Sequence, residues 1–301
     1  MSDVSREYSL IKVGFCVAYD WRMLERSLPL VYDTADRICL SLDLKRHSWN
    51  GHPFAFDEAA FRQCVSRIDR DGKIDVYEDD FYLPNLSPLE NDTRQRQMMA
   101  DRLRPGGWHV QLDVDEYVYD FQKLVAALRK IDRAPDGRGK PRCVFVQWVI
   151  LYKAITDGWL YIDQPRKARR WVPVASNAGA PQHIFIRRTK GAVVHVPIRI
   201  LHDSWARPPE ELLQKLQNWG HARELPVQSI FALWQALDAN NYQYLRDFNP
   251  FVPANEWPRL GFCAAGSFEE LVGKFRSSPG LEFDTLGGRS HHWLDRWLRR
   301  R

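Results

Sequence analysis

The chain has 301 residues, enough for one large or two modest domains, and its 45% hydrophobic and 27% charged residues are typical of a globular protein. The net charge of +5 is too small to indicate a nucleic-acid partner. Five scattered cysteines argue against a zinc site and a disulfide framework, and they fit a reducing compartment. A polar N-terminus and the lack of any apolar run near ~20 residues predict a cytoplasmic protein without a signal peptide or a membrane span.

The first part of the chain alternates apolar and amphipathic stretches. Short, near-continuous apolar runs are typical of strands buried on both faces, whereas apolar residues three or four apart indicate helices. The predicted strands cover residues 11–18, 37–42, 74–77 and 108–113, and the predicted helices cover residues 23–32, 57–68, 91–103 and 121–131. This alternation predicts an α/β fold with a mostly parallel sheet that is flanked by helices.

Beyond residue 140 the pattern changes to strands followed by helices. A helix opens where Pro208 and Pro209 precede two glutamates, because proline suits the first turn and acids suit the N-terminal dipole. The predicted elements are a strand at 143–152, a hairpin of 183–187 with 192–196, a short strand at 198–201, and helices at 209–222, 227–237 and 268–275. We expect one domain over residues 1–222 and a helical C-terminal region over residues 223–301.

The end of the chain combines tryptophan with arginine. Trp293 and Trp297 fall on one side of a helical wheel, and Arg296, Arg299 and Arg300 lie largely elsewhere. This is the composition of a helix that lies in a membrane interface. We therefore expect peripheral contact with the inner face of the plasma membrane; a frayed, solvated basic tail is the alternative.

Acidic residues follow each of the first four predicted strands. The segments are Tyr19-Asp20, Asp43, Glu78-Asp79-Asp80 and Asp113-Val-Asp115-Glu116. Ligands of parallel α/β sheets bind beyond the carboxyl ends of the strands, and carboxylate oxygens suit a divalent cation. The pattern therefore predicts a site for a cation and a polar ligand. Solvated strand-to-helix loops would also be acidic, and they are the simpler interpretation of each segment by itself.

The densest carboxylate cluster lies in the stretch WHVQLDVDEYVY at residues 108–119. Asp113, Asp115 and Glu116 stand side by side at the end of an apolar strand. Like charges so placed repel one another and cost desolvation free energy, so a positive partner is expected beside them. Glu116 is either a supporting group behind this cluster or a plain surface acid.

This stretch, the helix beginning NDTRQRQ at residue 91 and the segment HDSWAR at residues 202–207 together resemble the GT-A glycosyltransferases. The resemblance is to the family-2-like bacterial enzymes that build surface polysaccharides, and it covers about residues 10–222, including the helix with Lys215 and His221. It implies a Rossmann-like GT-A fold, Mn²⁺ or Mg²⁺, and a nucleotide-sugar donor, of which a UDP-sugar is the expected type. It also implies a glycan or lipid-linked glycan as acceptor.

The resemblance assigns roles to individual residues. Asp115 would be the direct metal ligand, Asp113 would share the metal site and face the donor sugar, and His202 would complete the metal shell. The donor would be bordered by Tyr19, Asp20, Asp43, Asp79 and Arg94. Inverting family members use a carboxylate as general base, for which Asp157 and Glu211, with its neighbour Glu210, are the candidates. Neither has the expected Glu-Asp context, so the stereochemistry stays open.

The chemistry of glycosyl transfer asks for further groups. The leaving diphosphate gains charge as the sugar bond breaks, and a divalent cation with basic side chains stabilises that charge. Arg207, Lys215 and the basic run at residues 166–170 are candidates for the basic side chains. Aromatic faces can stack on the C–H groups of a sugar, for which the candidates are Trp148, Tyr152, Trp159 and Trp205. The alternatives are structural: Trp148 as a core residue, Lys215 paired with Glu211, and residues 166–170 as a solvated loop.

Two other functions are compatible with the pattern. Phosphotransferases of the haloacid-dehalogenase type also place Asp-x-Asp after a strand, although they have the motif near the N-terminus and Thr or Val where this chain has Tyr117. A non-catalytic protein that binds glycans or membranes on the same fold is the other alternative.

Overall fold

Four parallel strands form one half of the central sheet. The computed structural model describes residues 10–133, 141–164, 170–177, 183–185, 187–218, 225–250 and 257–277. The four strands are β1 (Ile11–Val17), β2 (Arg37–Asp43), β3 (Ile74–Asp79) and β4 (Trp108–Asp113), and they lie in the order β3-β2-β1-β4. Every residue of β1 is buried, which is the burial expected of a parallel strand covered on both faces.

Helices cover the two faces of this half-sheet. They are α1 (Leu24–Tyr32), α2 (Glu58–Ile68), α3 (Pro88–Arg102) and α4 (Phe121–Arg133). Alternate residues of a strand point to opposite faces. Phe15 of β1 packs in one cluster with residues of α1, α2 and α4, whereas Cys16 packs in another with Met99 of α3. Helix α3 therefore lies on the opposite face from the other three.

The second half of the sheet is mixed in direction. Its strands are β5 (Glu116–Tyr117), β6 (Arg142–Ile155), β7 (Gly158–Ile162), β8 (Trp171–Ser176), β11 (Ala192–His202) and β12 (Leu260–Ala264), and β9 (His183–Phe185) and β10 (Arg188–Thr189) form a separate ribbon. Within the described ranges, β5, β7 and β8 run against the other seven strands of the sheet. The fold is therefore mixed α/β with a mostly parallel central sheet, as predicted.

The remaining helices complete the core on the second half. They are α5 (Pro209–Asn218), α6 (Val227–Ala236) and α7 (Phe268–Ser277). Leu212 of α5 and Trp234 of α6 share a core cluster with β6, β7 and β12, and Leu271 of α7 lies in a cluster with β5 and β6. Within the described ranges, no helix combines the length and apolar character that crossing a bilayer requires.

Some predicted elements were wrong. The expected hairpin of residues 183–187 with 192–196 does not form, because β9 pairs with β10 and β11 runs parallel beside β6. Helix α3 begins at Pro88 instead of residue 91, since Ser87 and Glu90 form a capping box. The region expected to be helical contains the strand β12. The division at residues 222 and 223 stays a prediction, and the basic tail at 293–301 lies outside the described residues.

Two glycines with left-handed backbone provide a test of how β4 is fixed beside β1. A Cβ on Gly107 (φ +67°) would lie 2.5 Å from the carbonyl oxygen of Leu10, whereas a Cβ on Gly72 (φ +63°) would meet nothing within 4 Å. We expect Gly72→Ala to cost about 1–2 kcal/mol of unfolding free energy through its backbone conformation alone. Gly107→Ala should cost at least about 1 kcal/mol more, because the clash is added. Urea unfolding measures both; equal costs would contradict this packing.

Candidate active site

A cavity of about 530 Å³ lies beyond the carboxyl ends of the parallel strands. Asp43, Asp113 and His202 are the last residues of β2, β4 and β11, so the sheet itself carries them to this edge. Most of the predicted site residues line the cavity: Tyr19, Asp20, Asp43, Asp113, Asp115, Trp148, His202, Trp205 and Lys215. Residues separated by almost 200 positions in the chain are thus brought to one site.

Asp113, Asp115 and His202 form a group with the geometry of a metal site. One ligand atom from each lies within 4.8 Å of the others, and Nε2 of His202 is 3.5 Å from Oδ2 of Asp115. The arrangement is held by the antiparallel pairing of β11 with β5 and by the Asp203 backbone N–H, which donates to the Asp115 carbonyl oxygen at 2.9 Å. Two carboxylates and one imidazole fit a divalent ion such as Mn²⁺ or Mg²⁺.

Asp115 is buried, with 1% of its surface exposed, and basic groups surround it. Its Oδ2 accepts hydrogen bonds from Nη2 of Arg207 at 2.6 Å and from Nζ of Lys215 at 2.5 Å. Burial by itself raises the pKa of Asp115, but its interactions with Lys215, His202 and Arg207 outweigh burial and hold the pKa well below its usual value. Asp115 is therefore ionised, as a metal ligand must be. One interpretation of the sequence paired Lys215 with Glu211. In the structure Lys215 pairs with Asp115 instead.

Glu116 is fully buried, with 0% exposure, and is not a surface acid. Its two carboxylate oxygens accept four hydrogen bonds. Arg187 donates two from Nη1 and Nη2, at 2.6 and 2.9 Å, Trp148 donates one from Nε1 at 2.8 Å, and the Asp113 backbone N–H donates one at 2.9 Å. The indole of Trp148 in turn packs on the imidazole of His202, with ring centroids 4.4 Å apart. Glu116 thus supports two of the three metal-ligand candidates from behind.

Arg96 of α3 is a cavity residue that sequence reasoning missed. Its Nη2 donates to Oδ1 of Asp113 at 2.5 Å and its Nε to Oδ1 of Asp92 at 2.6 Å. Its Nη1 is buried and has no hydrogen-bond partner among the described residues. Burial raises the pKa of Asp92 to about 6 despite the arginine. The four-residue spacing of Asp92 and Arg96 on a predicted helix was a signal for this pair.

Several predicted residues lie elsewhere. Arg94 is two positions from Arg96, which on a helix turns it by roughly 200°, and it donates to the Asp80 carbonyl oxygen outside the cavity wall. Asp79 accepts from the Tyr77 hydroxyl at 2.5 Å and does not line the cavity. His221, Arg166, Lys167 and Arg169 lie outside the described residues.

The two candidates for the general base lie away from the cavity, and their role stays a prediction. Asp157 is exposed in the turn between β6 and β7, and Glu211, like its neighbour Glu210, is exposed in the first turn of α5. Neither Asp157 nor Glu211 lines the cavity. The sequence has no clear Glu-Asp pair at a helix start beyond the metal motif. Neither Asp157 nor Glu211 supplies a carboxylate to the cavity wall in its place.

Asp43 lines the cavity, but its carboxylate is hydrogen-bonded to backbone amides. Its Oδ1 accepts from the amides of Lys45 and His47, both at 3.0 Å, and its Oδ2 accepts from those of Phe81 and Tyr82, at 3.0 and 3.1 Å. A carboxylate offers about four acceptor positions, so these bonds use its capacity. Asp43 therefore shapes the loops that form the wall and has little left for a ligand.

Aromatic side chains form the end of the cavity near α5. Trp205 lines it and stacks on Tyr152, with ring centroids 5.5 Å apart and an angle of 17°. Tyr152 itself is buried behind Trp205 and does not line the cavity. Trp257 meets Trp205 edge to face at 5.4 Å and also lines the cavity. No signal in the sequence pointed to Trp257, which is 52 residues from Trp205 in the chain.

Comparison with known proteins adds little to this geometry. No family model and no curated protein matches the chain. Among solved structures, 4-diphosphocytidyl-2C-methyl-D-erythritol synthase from Anaerococcus prevotii is similar at 15% identity and TM-score 0.36, over 64% of this chain and 90% of that chain. Mannose-6-phosphate isomerase from Helicobacter pylori is similar at 12% identity and TM-score 0.31, over 52% of this chain and 56% of that chain. Neither likeness carries an argument about function.

The buried pair of Glu116 and Arg187 yields a stability prediction. Arg187→Met removes two donors and leaves a buried carboxylate uncompensated, so it should lower the unfolding free energy by about 3–5 kcal/mol. Adding Glu116→Gln should recover part of the loss, since the uncompensated charge disappears. Arg188→Met, at the exposed neighbouring position, is the matched control and should change stability by less than about 0.5 kcal/mol. Urea unfolding that shows equal losses for Arg187→Met and Arg188→Met would contradict this role.

Proposed function

We propose that the protein is a metal-dependent glycosyltransferase that moves a sugar from a nucleotide-sugar donor, a UDP-sugar, to a glycan or lipid-linked acceptor in surface-polysaccharide synthesis. The observation that supports this proposal is the group Asp113, Asp115 and His202 on the wall of a cavity at the carboxyl edge of the sheet. This edge is where α/β folds of this kind bind nucleotide ligands. The volume of about 530 Å³ lies within the range of small-molecule sites.

The charge balance of the site favours a cation. Among the described residues that line the cavity, five are carboxylates, namely Asp20, Asp43, Asp92, Asp113 and Asp115, and four are arginine or lysine, namely Arg96, Arg170, Arg187 and Lys215. The excess is one negative charge. A diphosphate ligand adds more negative charge, so this site needs a divalent ion to bind it.

Different residues of the site would have different roles in the transfer. A divalent ion held by Asp113, Asp115 and His202 would neutralise charge on the departing diphosphate. Arg207 keeps Asp115 in position through the 2.6 Å bond and also holds Asp20, at 2.9 Å. The C–O bond between sugar and diphosphate breaks and its electrons pass to the phosphate oxygen. A hydroxyl oxygen of the acceptor forms the new bond to the sugar, and its proton passes to solvent water.

The aromatic end of the cavity suits the sugar acceptor. The faces of Trp205 and Trp257 are apolar surfaces of the kind that stack on the C–H groups of sugar rings. They lie on the side of α5, where Lys215 also lines the wall. We therefore place the acceptor there. Placement of the enzyme at the inner face of the plasma membrane depends on residues 293–301 and stays a prediction.

Asp115→Asn tests the proposed function. The substitution keeps the shape but removes the charge of the central ligand candidate, so it should abolish Mn²⁺-dependent thermal stabilisation by UDP-sugars and Mn²⁺-dependent UDP-sugar hydrolysis. Asp101→Asn, an exposed carboxylate at the end of α3, is the matched control and should behave as the wild type. Circular dichroism checks that both variants are folded.

Two outcomes would contradict the proposal. Full activity of Asp115→Asn would remove this residue from the site. Hydrolysis of p-nitrophenyl phosphate together with no response to any nucleotide-sugar would indicate a phosphotransferase instead.

A further inference from the structure

Three nitrogen-bearing groups converge on a single oxygen of Asp115. Its Oδ2 accepts hydrogen bonds from Nη2 of Arg207 at 2.6 Å and from Nζ of Lys215 at 2.5 Å. The same oxygen lies 3.5 Å from Nε2 of His202. At this distance, Oδ2 of Asp115 and Nε2 of His202 would be able to share one metal ion. A carboxylate oxygen has about two acceptor positions, and the two basic side chains already use them. A metal ion can bind this oxygen only when one of them leaves.

Arg207 is not the group that leaves. Its guanidinium is fully buried, and besides Asp115 it binds the Asp20 carboxylate at 2.9 Å and the Asp203 carbonyl oxygen at 3.2 Å. Three bonds from a planar, rigid group fix its position. Moving it would leave Asp20 without its partner in a largely buried place.

Lys215 has the opposite properties. Its side chain is 12% exposed and lines the cavity, and Asp115 is its one hydrogen-bond partner among the described residues. The ammonium sits on a flexible stem with several rotatable bonds. The backbone beneath it is held in place, because Leu212 and Leu216 are buried and Asn218 accepts a hydrogen bond from the Ser48 hydroxyl at 2.9 Å. The side chain can therefore move while α5 stays.

We propose that the Lys215 ammonium and a divalent ion compete for Oδ2 of Asp115, and that the ion displaces the ammonium toward the diphosphate of the donor. This inference rests on the proposed metal-dependent function. A divalent ion at Oδ2 repels the ammonium by Coulomb's law, and the diphosphate is the anion that the same cavity would then contain. Lys215 thus opposes metal binding and favours diphosphate binding.

The two roles predict effects of opposite sign for one variant. Lys215→Met keeps the length of the side chain and removes its charge. In the absence of other ligands it should bind Mn²⁺ about tenfold more tightly than the wild type, within the range typical of coupling between two ligands. With Mn²⁺ present, it should bind inorganic pyrophosphate about tenfold more weakly, because the displaced ammonium is missing. Electron paramagnetic resonance of free Mn²⁺ gives the first affinity and calorimetry gives the second.

Control variants test whether the effect depends on the charge at position 215 or follows from the loss of any lysine charge. Lys123→Met removes an exposed ammonium beside Asp120, on α4, and should match the wild type in both measurements. Lys215→Arg retains the charge and should not gain Mn²⁺ affinity. The double variant Asp115→Asn, Lys215→Met should lose the gain, since the gain depends on the Asp115 oxygen.

The outcomes distinguish this inference from the function on which it rests. Mn²⁺ affinity that is unchanged or lower in Lys215→Met, with clear binding by the wild type, would overturn the exchange and leave the metal site standing. A gain that persists in the double variant would also overturn it. Absence of Mn²⁺ binding from both wild type and Lys215→Met would overturn the metal site itself.

Discussion

The burial of Glu116 is the constraint on which the rest of the site depends. A carboxylate with no exposed surface is costly unless donors surround it, and here Arg187, Trp148 and the Asp113 backbone supply four hydrogen bonds. These bonds connect the end of β4 to β6 and to the β9–β10 ribbon. The same bonds fix the backbone of Asp113 and the indole that packs on His202. The bonds that satisfy this one buried charge thus help to hold two of the three metal-ligand candidates, Asp113 and His202.

The first half of the fold could be predicted because its information is local. The apolar runs of β1 and β2 and the amphipathic spacing of the helices between them are visible in short windows, and parallel connection follows from the alternation. The acidic strand ends then predicted one edge of the sheet as the site. Asp43, Asp113 and Asp115 indeed meet at that edge.

The second half could not be predicted because its pairings are distant along the chain. Arg187 and Glu116 are 71 residues apart, and no periodic signal near either of them indicates their bond. The register of β11 beside β6 leaves no such signal either. Trp257 reaches the cavity through the packing of a cluster that includes Tyr152 and Trp205. Short-range pattern also misplaced the start of α3, where Ser87 supplies the cap and residues 91 and 92 lie inside the helix. Arg94, which the resemblance assigned to the donor, lies outside the cavity wall, whereas Arg96 lies on it.

Spectroscopy of bound Mn²⁺ examines the proposed metal group of Asp113, Asp115 and His202. Pulsed electron paramagnetic resonance of the protein with one equivalent of Mn²⁺ should show coupling to a single imidazole nitrogen, and His202→Gln should abolish that coupling. His195, which packs on Trp171 and lies outside the cavity wall, provides the matched His195→Gln variant, in which the coupling should persist. A spectrum of fully hydrated Mn²⁺, or a nitrogen coupling that survives His202→Gln, would contradict the account.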